Sequence, residues 1–159
     1  MDSEVYKNIL IIKMTNPIMT LFHGSPYNLT ELIPKKPTVR SSDKFQKQKG
    51  VFMTDIEKNA QIFALVREKG GKKKSFGVLD GKLYICKPYV LNEKAYVYIY
   101  TTKSYIFDVK DKNNRNQYVI KRKIIPKYKY IVKKEDIIDS IVEFDNKEEY
   151  KKELDRIFS

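Results

Sequence analysis

Tryptophan is absent from the chain, and histidine and cysteine occur once each, as His23 and Cys86. A single cysteine excludes an internal disulfide and any multi-cysteine zinc site. The lone histidine lies far from it in sequence and no carboxylates accompany either at ligand spacing, which argues against any zinc site. Cys86, within "KLYICKPY", reads as a small buried apolar residue of a strand rather than a nucleophile. Glycine is scarce, and the glycine patterns that cradle phosphates in mononucleotide and dinucleotide folds do not occur. No Gly-x-Ser-x-Gly elbow is present, and Ser25 lies two residues from His23 on one strand end, poor geometry for a nucleophile and its base. Long apolar runs are lacking too. The N-terminal "YKNILIIKM" is too short to span a bilayer and has no small-residue cleavage site, so a cytoplasmic protein without a membrane partner is expected.

What is present points to a globular chain. Hydrophobic residues make up 42% and aromatics 13%, twelve of them tyrosine, too rich for disorder. A length of 159 residues fits one domain over 1–159, with 1–15 as a peripheral strand or extension and the core starting near Ile18. No internal repeat or low-complexity tract suggests a linker. Thirty-two Lys and Arg against twenty Asp and Glu give +12, a field that attracts polyanions. Its clusters are Lys35-Lys36, Lys72-Lys73-Lys74 and Lys121-Arg122-Lys123.

"IMTLFHGS" reads as a strand entering a glycine turn, followed by a one-turn helix in "NLTELIP" with Asn28 as N-cap and Glu31 three residues on. Residues 35–49 carry little periodicity, and a loop of that length is expected beside or over the site. A buried strand at 51–53 then leads into a helix, with Thr54 and Glu57 as a capping box, Ile56, Ala60, Phe63 and Ala64 at helical spacing, and Gly70-Gly71 as its end. Asp80-Gly81 signals a hairpin. "AYVYIYTT", "SYIFDV", "QYVIKRKIIP" and "KYIVKK" complete five or six strands in the C-terminal two thirds, and "NKEEYKKELDRIF" predicts a terminal helix capped by Asn146, with Glu149 at the capping-box position. Few helices and many strands predict an α+β fold on an antiparallel or mixed sheet.

A histidine at a strand end beside glycine can hydrogen-bond a ribose hydroxyl, while the glycine admits a ligand amide to the main chain. "HGS", then "GVFMTD" about 25 residues later, then a helix with "AQIF", resembles the ADP-ribosyltransferases of the diphtheria-toxin and poly(ADP-ribose) polymerase branch. "RNQYVIKRKIIPKYKYIV" is similar to their late segment, where Asn-Glu-Tyr-Ile-Val-Tyr is common. The resemblance covers about 40 residues in three blocks. It implies an ADP-ribosyltransferase-like split antiparallel or mixed β-sheet with flanking helices, and NAD as substrate.

The resemblance also implies roles. His23 falls on the ribose-binding histidine, Gly24 on the residue whose main chain clamps the nicotinamide carboxamide, and Ser25 on a ribose-contacting hydroxyl. Phe52 falls on the first aromatic position, where tyrosine is usual, Thr54 on the threonine of Gly-x-x-x-Thr, and Phe63 on the helix aromatic that stacks on nicotinamide. Gln117 falls on the catalytic glutamate. Glutamine can hold the 2′-hydroxyl but offers no charge to the cation that develops as the glycosidic bond breaks, a loss on the order of 10² to 10³ in rate. Glu93 and Glu143 are candidate substitutes. Three functions follow: an enzyme that passes ADP-ribose from NAD to a macromolecule or water, a catalytically degenerate module that binds nucleic acid, a nucleotide or a protein through its basic surface, or a glycosylase acting on nucleic-acid bases.

Overall fold

Strand β1, Ile18–Ser25, runs antiparallel to β5, Lys94–Lys103, along its whole length, from Ile18 opposite Lys103 to Ser25 opposite Tyr96. The computed structural model describes residues 18–36, 48–67, 75–103, 109–110 and 116–158. Between β1 and β5 come β2 (Val51–Thr54), helix α1 (Glu57–Val66), and the hairpin β3 (Gly77–Leu79) and β4 (Lys82–Cys86). After β5 follow β6 (Val109–Lys110), β7 (Gln117–Ile120), β8 (Tyr128–Lys133), a 3-10 helix (Lys134–Ser140), β9 (Ile141–Phe144) and helix α2 (Lys147–Phe158).

The strands form two sheets. Six follow the order β6-β7-β2-β1-β5-β8, all antiparallel, and three follow β3-β4-β9, with β4 and β9 parallel. This is α+β architecture with antiparallel and mixed sheets. The large sheet is not evenly laced. Four register pairs join β2 to β7 and eight join β1 to β5, whereas β1 meets β2 at Phe22 opposite Thr54 alone. Two three-stranded halves therefore share one pair of residues.

Alternation along the strands sends side chains to two cores. On one face Val97, Ala95 and Val132 pack against Ala60, Ile62, Ala64 and Leu65 of α1 and against Leu83 and Ile85 of the small sheet, with Phe22 at the margin. On the other, Leu21, Met53, Tyr98, Tyr118 and Ile120 pack with Leu32 and Ile124. Each fully buried Leu or Ile contributes about 1.5–3 kcal/mol. No helix among the described residues is long and apolar enough to cross a membrane.

Several local expectations change. Residues 28–31 form no helix: Leu29 N–H is taken by the Tyr98 hydroxyl at 2.5 Å, and the Asn28 side chain receives Lys129 Nζ at 2.6 Å instead of capping. Thr54 and Glu57 do not make a capping box. Thr54 Oγ1 accepts from Ile56 N–H at 3.1 Å in a local turn, while Glu57 accepts from the Tyr130 hydroxyl at 2.8 Å. Helix α1 ends at Val66, ahead of the glycine pair. Strand β9 and the 3-10 helix lie where no element was expected, and seven strands follow residue 70 among the described residues. The hairpin at Asp80-Gly81 forms, with both residues in the left-handed region at φ 48° and 77°. Asn146 caps α2, accepting from Glu148 N–H at 2.7 Å, and Cys86 is buried. Residues 1–15, most of the 35–49 loop, Lys72-Lys73-Lys74 and most of "SYIFDV" lie outside the described residues.

Candidate functional site

The seam between the half-sheets opens where the sequence places its one imidazole. Past the Phe22 and Thr54 pair, no register pair links His23, Gly24 and Ser25 of β1 to Val51, Phe52 and Met53 of β2. One side chain spans the gap instead: His23 Nδ1 lies 2.7 Å from the main-chain oxygen of Phe52. A carbonyl only accepts, so Nδ1 carries the proton and donates, and the neutral ring keeps its acceptor lone pair on Nε2. Nε2 takes no hydrogen-bond partner among the described residues.

Burial pushes the His23 imidazole down to about 4, with the bond to Phe52 opposing the shift and the charges of Arg67 and Lys35 adding to it. The side chain is half-buried, opposite Tyr98 in register and with its ring 6.3 Å from that of Tyr98. At neutral pH it is an uncharged acceptor, suited to a hydroxyl rather than to an anion.

Gly24 has a packing reason to be glycine. A Cβ there would stand 2.0 Å from Ala60 O and 2.8 Å from Ala64 N, so α1 crosses β1 too closely for any side chain. That crossing lays the helix over one face of the seam. Ser25 is buried, and its hydroxyl accepts from Tyr27 N–H at 3.1 Å, holding the turn that leaves β1. Phe63, half-buried on α1, meets Phe76 edge-on at 6.1 Å and carries the Arg67 guanidinium 5.4 Å above its ring.

Gln117 opens β7 just after Asn116, whose φ of 56° turns the chain into the strand. It is opposite Thr54, which in turn is opposite Phe22, so the three residues form one row across the seam's closed end. Residues in register share a face, so Gln117, Thr54 and Phe22 point to the side of α1, while His23 points with Tyr98 to the other. The expected site residues are thus gathered around the seam but on both of its faces. His23, Gly24, Ser25 and Phe52 line its lips, Thr54 and Gln117 mark its closed end, and Phe63 lies on the helix that covers it.

Three neighbours escaped the sequence reading. Arg67 follows Phe63 by four residues, the spacing that puts both on one helix face. Tyr98 alternates inward along "YVYIY". Asp55 follows Thr54 directly, receives the Tyr118 hydroxyl on Oδ2 at 3.2 Å and has a buried Oδ1 without a partner among the described residues. The proposed substitutes stand elsewhere: Glu93 pairs with Lys134 at 2.9 Å, and Glu143 sits in β9 of the small sheet, bonded to Tyr89 and, at 3.2 Å, to Lys87. No group of three or more His, Cys, Asp and Glu able to hold a metal occurs among the described residues.

Two open grooves, each of about 490 Å³, lie beyond the seam. One is lined by Tyr89, Leu91, Lys134, Ile138, Ile141 and Glu143, the other by Ile33, Pro34, Gln48, Lys49 and Lys121. Comparison of the chain with family models, curated proteins and solved structures gave no match.

Proposed function

We propose that the seam binds the nicotinamide half of NAD and that the chain is an ADP-ribosyltransferase-like enzyme, cleaving the N-glycosidic bond and passing ADP-ribose to a macromolecule or to water. The observation that carries this reading is His23: a neutral imidazole fixed by Phe52 O, with Nε2 left as an acceptor at the edge of an opened sheet. Such an atom suits a ribose hydroxyl, and the main chain at Gly24, paired with β5 but joined by no register pair to β2, suits the paired donor and acceptor of a carboxamide.

In the reaction the C1′–N bond breaks, nicotinamide leaves with the bonding pair as a neutral molecule, and the attacking hydroxyl or water gives up a proton as its oxygen bonds C1′. On this reading His23 and Ser25 fix the ribose, Gly24 holds the carboxamide, and Phe52 and Phe63 enclose the ring. Thr54 keeps the strand-to-helix turn, and Gln117 holds the 2′-hydroxyl. The Arg67 guanidinium over Phe63 adds a cation on the side where the pyrophosphate leads away. The split of the large sheet supports an ADP-ribosyltransferase-like arrangement, because a flat ring entering the gap edge-on meets groups from both faces.

Incubation with NAD and chromatography of free nicotinamide tests the proposal. The wild type releases nicotinamide faster than His23→Ala by about tenfold or more, as loss of a positioning contact predicts. Equal rates for the two proteins overturn it.

A further inference from the structure

The groove lined by Tyr89, Leu91, Lys134, Ile138, Ile141 and Glu143 is built from two segments tied to each other at both ends. The Tyr89 hydroxyl bonds Glu143 at one end, and at the other Lys134 meets Glu93 twice, main chain to main chain at 3.3 Å and Nζ to carboxylate at 2.9 Å. Tyr89, Leu91 and Ile141 pack against the core that contains α1, whereas Ile138 is 58% exposed. One turn before Ile138 on the 3-10 helix stands Glu135, and Asp139 follows it directly. Both carboxylates are exposed, and neither makes an ion pair among the described residues. Residues 134–149 hold seven carboxylates against two lysines, an acidic stretch in a chain of net charge +12.

The complementary surface is on the same chain. Ile125 and Tyr128, 71% and 60% exposed, flank Pro126 and Lys127 in the connection from β7 to β8. Lys127 is exposed, its ammonium 5.6 Å from the centre of the Tyr128 ring, and it makes no ion pair among the described residues. We infer that the groove takes this connection from a second copy of the chain, with Ile125 and Tyr128 against Ile138 and Leu91 and with Lys127 beside Glu135 and Asp139. Tyr128 opens β8 and Lys134 follows its last residue, so the connection and the groove stand at opposite ends of a strand about 17 Å long, and no chain fills its own groove. Exposed apolar side chains beside a cation fit an apolar groove beside carboxylates, and those carboxylates repel nucleic acid and anionic lipid. Two different surfaces meet, so the contact is heterologous: a bound copy still offers one of the two, and assemblies grow or close into a ring. The inference does not rest on NAD chemistry.

The test is sedimentation equilibrium of the full chain. The weight-average mass is expected to rise from the 18.8 kDa of one copy at about 5 µM to more than twice that at about 300 µM. Ile138→Asp spoils the groove and Ile125→Asp spoils the surface that enters it. Each is expected to associate at least about tenfold more weakly, with circular dichroism unchanged because both side chains are exposed. Mixed in equal amounts, the two variants are expected to form a dimer and nothing larger, joined by the intact connection of one and the intact groove of the other. Glu135→Lys/Asp139→Lys is expected to weaken association by about threefold or more. A wild type that stays monomeric at the highest concentration overturns the inference and leaves the groove to a different partner. A mixture that stays monomeric overturns it too, as does either isoleucine variant associating like the wild type. Unchanged association of Glu135→Lys/Asp139→Lys removes the charge match and overturns the choice of occupant.

Discussion

His23 and Phe52 hold two strands together by a single side-chain bond, Nδ1–H to main-chain oxygen across 2.7 Å, where the backbone ladder between β1 and β2 has stopped. The arrangement couples fold stability to pH. An unfolded histidine titrates near 6.5, whereas this one is held down to about 4, so between those values the unfolded chain carries the extra proton and stability rises with pH. Above the unfolded value the ring is neutral in both states, and stability is lost as pH falls towards 4 because charging the ring opposes its burial; the bond from Nδ1–H to Phe52 persists in both forms and reduces that loss. The loss is at most about 3 kcal/mol for this half-buried group. Urea denaturation of the wild type and His23→Asn at pH 7 and pH 4.5 is expected to show a smaller fall for the variant. Parallel curves would mean that His23 does not titrate as the structure requires.

Gly24→Ala places a methyl group against the α1 main chain, which has no flexible side chain to give way. Overpacking of this kind costs typically 1–3 kcal/mol, and contact with backbone puts this substitution at about 2 kcal/mol or more. The measurement is the urea midpoint. An unchanged midpoint would mean that α1 shifts freely off β1.

Tyr98 is fully buried, and its hydroxyl both receives Leu29 N–H at 2.5 Å and donates to Tyr27 O at 2.7 Å. Tyr98→Phe keeps the ring and abandons a main-chain donor and acceptor next to the end of β1, a loss of about 1–3 kcal/mol. Hydrogen exchange at Leu29 is the sharper readout. It is expected to accelerate in the variant, and an unchanged rate would assign the protection of that amide to another group.

Gln117→Glu restores a carboxylate where positive charge is proposed to develop on the ribose, and nicotinamide release is expected to rise by on the order of tenfold to a hundredfold. Asp55→Asn, next to Gln117's register partner, tests whether the nearby carboxylate already lends its charge. A fall in kcat for Asp55→Asn with KM preserved supports that role, and wild-type kcat excludes it.

Alternating and β-branched runs announced β1, β2, β5, β7 and β8, each of which buries at least one side chain, from Val132 alone in β8 to Tyr118, Val119 and Ile120 in β7. The segment 28–31 misled, since Asn28 and Glu31 have capping spacing yet the hydroxyl of Tyr98, sixty-nine residues from Leu29, takes the amide a helix would have used. Strand β9 was illegible for a related reason: none of its four residues is fully buried, and its parallel partner β4 lies far away in sequence. Around the seam, His23 could be singled out as the one histidine. Its anchor could not, because Phe52 contributes a main-chain oxygen, which every residue has. Arg67 and Asp55 enter through helix phase and strand register, relations that appear once the elements are placed.

The pairing of β1 with β5 also sets a timetable for synthesis. The first described strand meets β2 at one pair of residues, but it can find the neighbour that pairs with its whole length only after residues 94–103 have left the ribosome, and the outer strand β8 joins later still. Until then "LFHGS" is an apolar strand with open edges, in a topology where distant pairing makes folding slow. A nascent chain stopped before Lys94 would carry His23 with no sheet to hold it, leaving that stretch open to chaperones, proteases or self-association.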